Sequence, residues 1–195
     1  MASKENRRIT DMGTLKALAH PLRMKLYRSL FVAGAATASQ LGELVDEAPS
    51  LVSYHLRKLA EHGLIEEAEP RSGDGRERWW QPASEGVSVR DEDFHDAPEK
   101  AAAHLAASRL FQEQRSELYR AHLDERATWG PEWNAAAHDS ESLLRLTAGE
   151  LAELKKDLHD LISKYDERGR AREAAGETQG REHVALHLYG FPFRP

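Results

Sequence analysis

Apolar positions between residues 37 and 63 (TASQLGELVDEAPSLVSYHLRKLAEHG) form two short helical stretches separated by a break, Asp46 to Pro49. In the second stretch Val52, Leu56, Leu59 and Gly63 recur at intervals of four, three and four, one stripe of an α-helix. The complementary face holds Ser50, Ser53, Tyr54, Arg57 and Lys58, and nothing acidic interrupts it before Glu61. A strand-like run follows from Leu64, then a glycine-rich turn (RSGDGRE), then a second strand-like run ending at Pro82. Trp79 and Trp80 alternate along it, which predicts one ring toward the core and one outside.

Upstream, residues 11–19 predict a helix that His20-Pro21 breaks, because the residue before proline is pushed out of the α region. Pro21 then suits the first turn of a second helix, to about Ala33, with Leu22, Leu26 and Leu30 on one stripe. Thr37 or Ser39 is expected to cap a short helix burying Leu41, Leu44 and Val45, and Ser50 or Asp46 to cap the one after it. Downstream, 83–97 reads as an acidic linker. Asp96 with Glu99, and Thr147 with Glu150, carry the capping-box spacing. They open two long helices. The first buries Ala103, Ala107, Leu110, Leu118 and Ala121 and stops at Gly130-Pro131. The second has a seam of Leu151, Leu154, Leu158, Leu161, Ile162 and Tyr165, with a loose connection from Gly169 to Gly180. Two runs, 142–146 (SLLRL) and 183–189 (HVALHLY), read as short strands paired across that helix.

The order helix, turn, helix, hairpin is that of a winged helix-turn-helix module. The predicted fold class is mainly α with small β. A winged helix-turn-helix domain (1–90) precedes a helical dimerisation and effector region (91–195) with two short strands.

Charge sharpens the picture. The net charge of −6 splits into +1 over residues 1–90 (13 Lys/Arg, 12 Asp/Glu) and −7 over 91–195 (14 and 21), so the acidity belongs to the second half. A local basic face matters more for DNA than the total. With no cysteine, disulfides, thiolate metal sites and thiol redox switches are excluded. No segment approaches the roughly 20 apolar residues that cross a bilayer, which predicts a cytoplasmic protein without a membrane partner.

A helix that reads DNA needs an apolar back, small polar residues near its N-terminus and cations for phosphate. Residues 50–62 supply all three. Ser50 and Ser53 let the backbone come close, Tyr54 offers a hydroxyl, Arg57 suits guanine or phosphate, and Lys58 suits phosphate as a point charge. The wing, 64–82, adds Arg71, Arg76 and Arg78 around its glycines.

The stretches LKALAHPLRMKLYRSL, TASQLGELV, PSLVSYHLRKLAEHGLIEE and GRERWWQP resemble the ArsR-type winged helix repressors of bacteria. The shared pattern is Pro21-Leu22-Arg23, Val52-Ser53-Tyr54-His55-Leu56-Arg57-Lys58-Leu59, Gly63-Leu64-Ile65 and Gly75-Arg76, covering about residues 11–82. The resemblance implies a homodimer that binds a near-palindromic double-stranded operator and represses, with DNA contact at Ser50, Ser53, Tyr54, Arg57 and Arg76. The family's Cys-x-Cys metal motif is absent. Asp93-Phe94-His95 begins its other metal pattern, but no histidine follows at the needed spacing.

The ten histidines are scattered, and His183 with His187 comes nearest to a ligand pair, so neither metal nor cofactor is expected. His55, beside the apolar stripe, reads as a packing histidine. Trp129 and Trp133 flank Gly130-Pro131 and are the candidate lining of a pocket for an unknown small-molecule effector; the plainer role is to plug the helix break. The alanine-rich stripe suits close approach of two helices across a dimer axis. No Ser-His-Asp spacing, phosphate loop or metal signature marks an enzyme. The predicted function is therefore a dimeric, sequence-specific DNA-binding regulator. The alternative is a winged-helix protein-interaction module that does not read DNA, a reading drawn from the acidic total charge.

Overall fold

The computed structural model describes residues 7–70 and 77–194. The wing-tip residues Arg71 and Arg76 therefore lie outside the described residues. The chain divides into two compact units, Met1–Asp124 and Glu125–Pro195.

In the first unit, β1 (Arg7–Ile9), α1 (Met12–Leu18) and α2 (Pro21–Ala33) lead into β2 (Ala36–Thr37), α3 (Ala38–Val45) and α4 (Pro49–Glu61). The wing strands β3 (Ile65–Ala68) and β4 (Trp79–Pro82) come next, followed by β5 (Val87–Val89) and α5 (Pro98–Glu125). The helix starts follow local chemistry. Asp11 accepts the Thr14 N–H at 2.8 Å, capping α1. Thr37 and Gln40 close a reciprocal capping box on α3. Pro21 opens α2 and Pro49 opens α4, each in the first turn, where a missing N–H costs nothing. Arg23 binds the carbonyls of Ala17 and Lys16, supplying donors to the open end of α1 and tying it to α2.

Leu15, Leu26, Leu30, Leu41, Val52, Leu56, Leu59 and Leu64 are fully buried in one core. β2, β4 and β3 form an antiparallel sheet in that order, Ala36 opposite Trp80 and Ala68 opposite Trp79. Three expectations fail here. Leu44 is 61% exposed, because α3 is short and turns only Leu41 and Val45 inward. α4 has no side-chain cap: its N-cap is Ala48, while Asp46 adopts a left-handed conformation that terminates α3. Trp79 and Trp80 are both buried, so the outward face of β4 is covered too.

The stretch 83–97 is folded rather than a linker. β5 pairs in parallel with β1, Arg8 opposite Ser88, and Phe94 is fully buried in the core. Arg8 closes this corner with bonds to Asp93 (2.6 and 2.8 Å) and Glu92 (2.7 Å). Asp93 is thus engaged by a guanidinium. The first compact unit consequently runs past residue 90 and takes in most of α5. That helix touches the core through His104, Ala107 and Phe111, and Arg28 donates to the Gln114 carbonyl at 3.4 Å. Beyond that point the helix leaves its own core. Leu118 and Ala121, expected to be buried, are exposed, as are Tyr119 and Leu123.

The second unit holds α6 (Gly130–Ala136) and α7 (Ala148–Ala174). Gly130 starts a new short helix after the break. Thr147 and Glu150 form the expected capping box, with bonds of 2.7 and 3.2 Å. α7 continues through Gly169 to Ala174, assisted by the Arg170–Asp166 pair at 3.2 Å. Neither 142–146 nor 183–189 is a strand. Among the described residues the strand ladders are β1–β5 and β2–β4–β3. A lone extended segment has no neighbouring strand to complete its ladder.

Candidate nucleic-acid interface

Val52, Leu56 and Leu59, fully buried, fix α4 against the core and set which side faces out. On that side Ser50 and Arg57 are exposed, Tyr54 is 48% exposed, and Ser53 and Lys58 are partly covered. Arg57 Nε donates to the Ser53 carbonyl at 3.3 Å, which lays the guanidinium along its own helix. Lys58 is paired with Glu61 at 2.7 Å and lies 6.0 Å from the Tyr54 ring centre. Hydrogen bonding to the Glu61 carboxylate raises the Lys58 pKa, so its charge is firmly held. Tyr54 meets the His55 ring edge-on, centres 5.2 Å apart.

Beside α4 runs a notch of about 360 Å³ lined by Thr37, Ser53, Arg57, Glu77, Arg78 and Trp80. Arg78 stacks on Trp80 at 5.5 Å and pairs with Glu67 at 3.0 Å. Glu77 accepts from the Ser39 hydroxyl at 2.8 Å, tying the base of the wing to α3. These ion pairs are exposed, and such pairs are weak enough to exchange for a phosphate. The described portion of the expected set, Ser50, Ser53, Tyr54, Arg57, Lys58 and Arg78, thus lies on α4 and just ahead of the adjoining wing strand β4.

The far end of α4 is held from the chain's beginning. Arg7 donates to the carbonyls of His62, at 2.7 Å, and Gly63. Gly63 adopts φ +63°, a conformation that favours glycine; a Cβ there would sit 2.9 Å from the Arg7 guanidinium, the far end of a flexible side chain that would have to shift its grip. Gly42, inside α3, faces the turn before α4, where a Cβ would come within 2.7 Å of the Glu47 carbonyl oxygen.

Two features escape a sequence reading. His20 packs on His55, ring centres 4.7 Å apart, each with a buried Nδ1 that finds no partner. Burial lowers both pKa values, and nearby Arg23 lowers them further. His104, stacked on Phe94 at 5.2 Å, lies 3.5 Å from Asp91. No periodicity encodes either contact, because both join distant segments.

Trp129 and Trp133 meet edge to face, 6.4 Å apart, and the Trp129 N–H is enclosed without an acceptor. Among the described residues no three His, Asp or Glu converge on a metal position. No helix of the described residues is long and apolar enough to cross a membrane.

Helix-turn-helix plus a three-stranded wing sheet makes this a winged helix-turn-helix protein. Residues 18–68 match the helix-turn-helix domain family. The chain is similar to a Halobacterium salinarum protein whose name gives it as an arsenical resistance operon repressor, ArsR. The two are 35% identical over 80 residues, 40% of this chain and 59% of the relative's length. Solved structures similar to it include the AntR antimony-specific transcriptional repressor (18% identity, 58% of this chain and 78% of that one, TM-score 0.33). Another is an ArsR family transcriptional regulator (24% identity, 55% and 88%, TM-score 0.30).

Proposed function

We propose that this chain is a sequence-specific, double-stranded DNA-binding transcriptional regulator, acting as a repressor. One observation carries the reading. The apolar row of α4 is sealed in the core while Ser50, Tyr54 and Arg57 stand outward beside the wing. A helix so held presents its N-terminal half to a major groove. In this reading Ser50, Ser53, Tyr54 and Arg57 meet base edges. Lys58, Arg78 and, on sequence grounds, Arg71 and Arg76 meet phosphates.

The working form is a homodimer on a near-palindromic operator. Support comes from the outer half of α5, whose Leu118, Tyr119 and Leu123 lie exposed beyond the core. A two-fold dimer on DNA requires its two α4 helices about 34 Å apart, one turn of the duplex. The effector is a small apolar molecule bearing one acceptor, received at Trp129 and Trp133. The enclosed Trp129 N–H supports that placement.

The test is selection of genomic fragments by the purified chain, followed by titration of the recovered sequence against salt. Expected is a two-fold motif with half-sites about 10 base pairs apart and an affinity falling steeply with salt. Recovery of no motif, with equal binding to random duplex, overturns it.

A further inference from the structure

The N-terminal half of α4 carries neither a formal charge nor a side-chain amide. Between Ala48 and Leu56 the chain has no Lys, Arg, Asp, Glu, Asn or Gln. Those are the side chains that tell guanine, adenine and cytosine apart by hydrogen bonds in the major groove. Arg57 and Lys58 stand about two turns beyond Ser50. There Arg57 is laid against the Ser53 carbonyl and Lys58 is paired with Glu61. Yet the N-terminal residues of a reading helix are the ones that meet base edges. In that half of α4 the exposed side chains include Ser50, Leu51 and Tyr54.

Leu51 stands apart in that group. It is 40% exposed, and Tyr54, its i+3 neighbour on the same row, is 48% exposed. The row that holds the helix in the core is Val52, Leu56 and Leu59, and Leu51 lies off it. A serine hydroxyl both donates and accepts, so it meets any base pair and selects little. A leucine side chain makes no hydrogen bond. The floor of the major groove offers it one apolar group, the C5-methyl of thymine. Arg57 and Lys58, with no acid between Ala48 and Glu61, suit the same negatively charged partner.

We propose that Leu51 is a specificity-determining residue of α4, its side chain seated on the C5-methyl group of a thymine in each operator half-site. The selection is by apolar contact. Adenine, guanine and cytosine turn hydrogen-bonding edges to the major groove. A leucine laid on one of those edges strips its water and returns no hydrogen bond, which is unfavourable. Thymine alone gives the side chain an apolar surface to cover. This inference rests on the DNA reading above and deepens it: it names the base that the start of the reading helix selects.

The operator selected by the full-length chain is the probe. Each thymine of one half-site is replaced singly by deoxyuridine, which removes the methyl and keeps every hydrogen-bonding group. One position should weaken wild-type binding about fourfold, the worth of one methyl withdrawn from water. At that position the thymine-to-uracil affinity ratio should fall to about one in Leu51→Ala and keep the wild-type value in Leu51→Met, a double-mutant cycle across the contact. If Leu51→Ala misfolds, Leu51→Gln takes its place with the same expectation. A scan that finds no sensitive thymine overturns the proposal, and it uses the unaltered chain. So does a ratio that Leu51→Ala leaves unchanged, or a Leu51→Ala chain with wild-type operator affinity, which would assign Leu51 to a protein partner or to solvent. These results leave the DNA reading standing, because an operator was bound. A chain that selects no operator removes that reading and this one together.

Discussion

His20 at the start of α2 and His55 in the middle of α4 pack ring on ring at 4.7 Å, joining the scaffold to the helix proposed to read DNA. Burial keeps both imidazoles neutral, opposed at His55 only by a Coulombic contribution from Glu47. Both pKa values are therefore below the ordinary 6.5 in the folded chain. The unfolded chain binds protons first as pH falls, so this contribution is complete above about 6.5 and shrinks below it. Urea midpoints should fall from pH 7 toward pH 5, and His55→Phe should flatten that slope. An unchanged slope would show that the pair does not titrate with folding.

Replacing Arg57 or Tyr54 by Ala should cost about 1–3 kcal/mol at the selected operator and relax sequence preference. Competition between operator and random duplex measures this. Equal losses on both would assign these side chains to the backbone.

Arg78→Ala and Arg76→Ala should each weaken binding to all duplexes alike and lower the salt slope by about one. Band-shift titrations across salt report it. A slope equal to wild type would remove that side chain from the phosphate set.

Phe94→Ala should destabilise the first unit by about 3–5 kcal/mol, since a fully buried aromatic leaves a cavity. Asp11→Ala should cost only about 1 kcal/mol, the loss of one cap. Denaturant melts separate the two; similar midpoints would mean residue 94 lies outside the cooperative core.

Much of the first unit could be read from local chemistry. The breaks at Pro21 and Pro49, the Thr37 cap and the Val52-Leu56-Leu59 row each act within a few residues, and each lies where its spacing put it. The failures involve distant partners. Val87 and Val89 sit in a short run with Gly86, Ser88 and Arg90, and they become a strand because Arg7–Ile9 supplies the other side. Leu118 has the spacing of a core residue but is 41% exposed, because α5 has by then passed the last core contacts at Phe111. Residues 183–189 have strand composition but join no strand ladder among the described residues. For the candidate interface, sequence placed Tyr54 and Arg57 on the outer face; the Lys58–Glu61 pair has the i,i+3 spacing of helix neighbours, whereas the Arg78–Glu67 pair joins residues eleven apart across the wing and has no local sign.

The grip of Arg7 on the carbonyls of His62 and Gly63 sets a limit on dissection. Trimming the gene to the matched stretch, 18–68, would discard that guanidinium together with both members of the parallel pair. The isolated fragment would keep Ser50, Ser53, Tyr54 and Arg57 but lose Arg78, strand β4 and the clasp on the trailing end of α4. Low affinity in such a fragment would reflect a missing wing and a frayed helix terminus rather than a poor choice of base contacts.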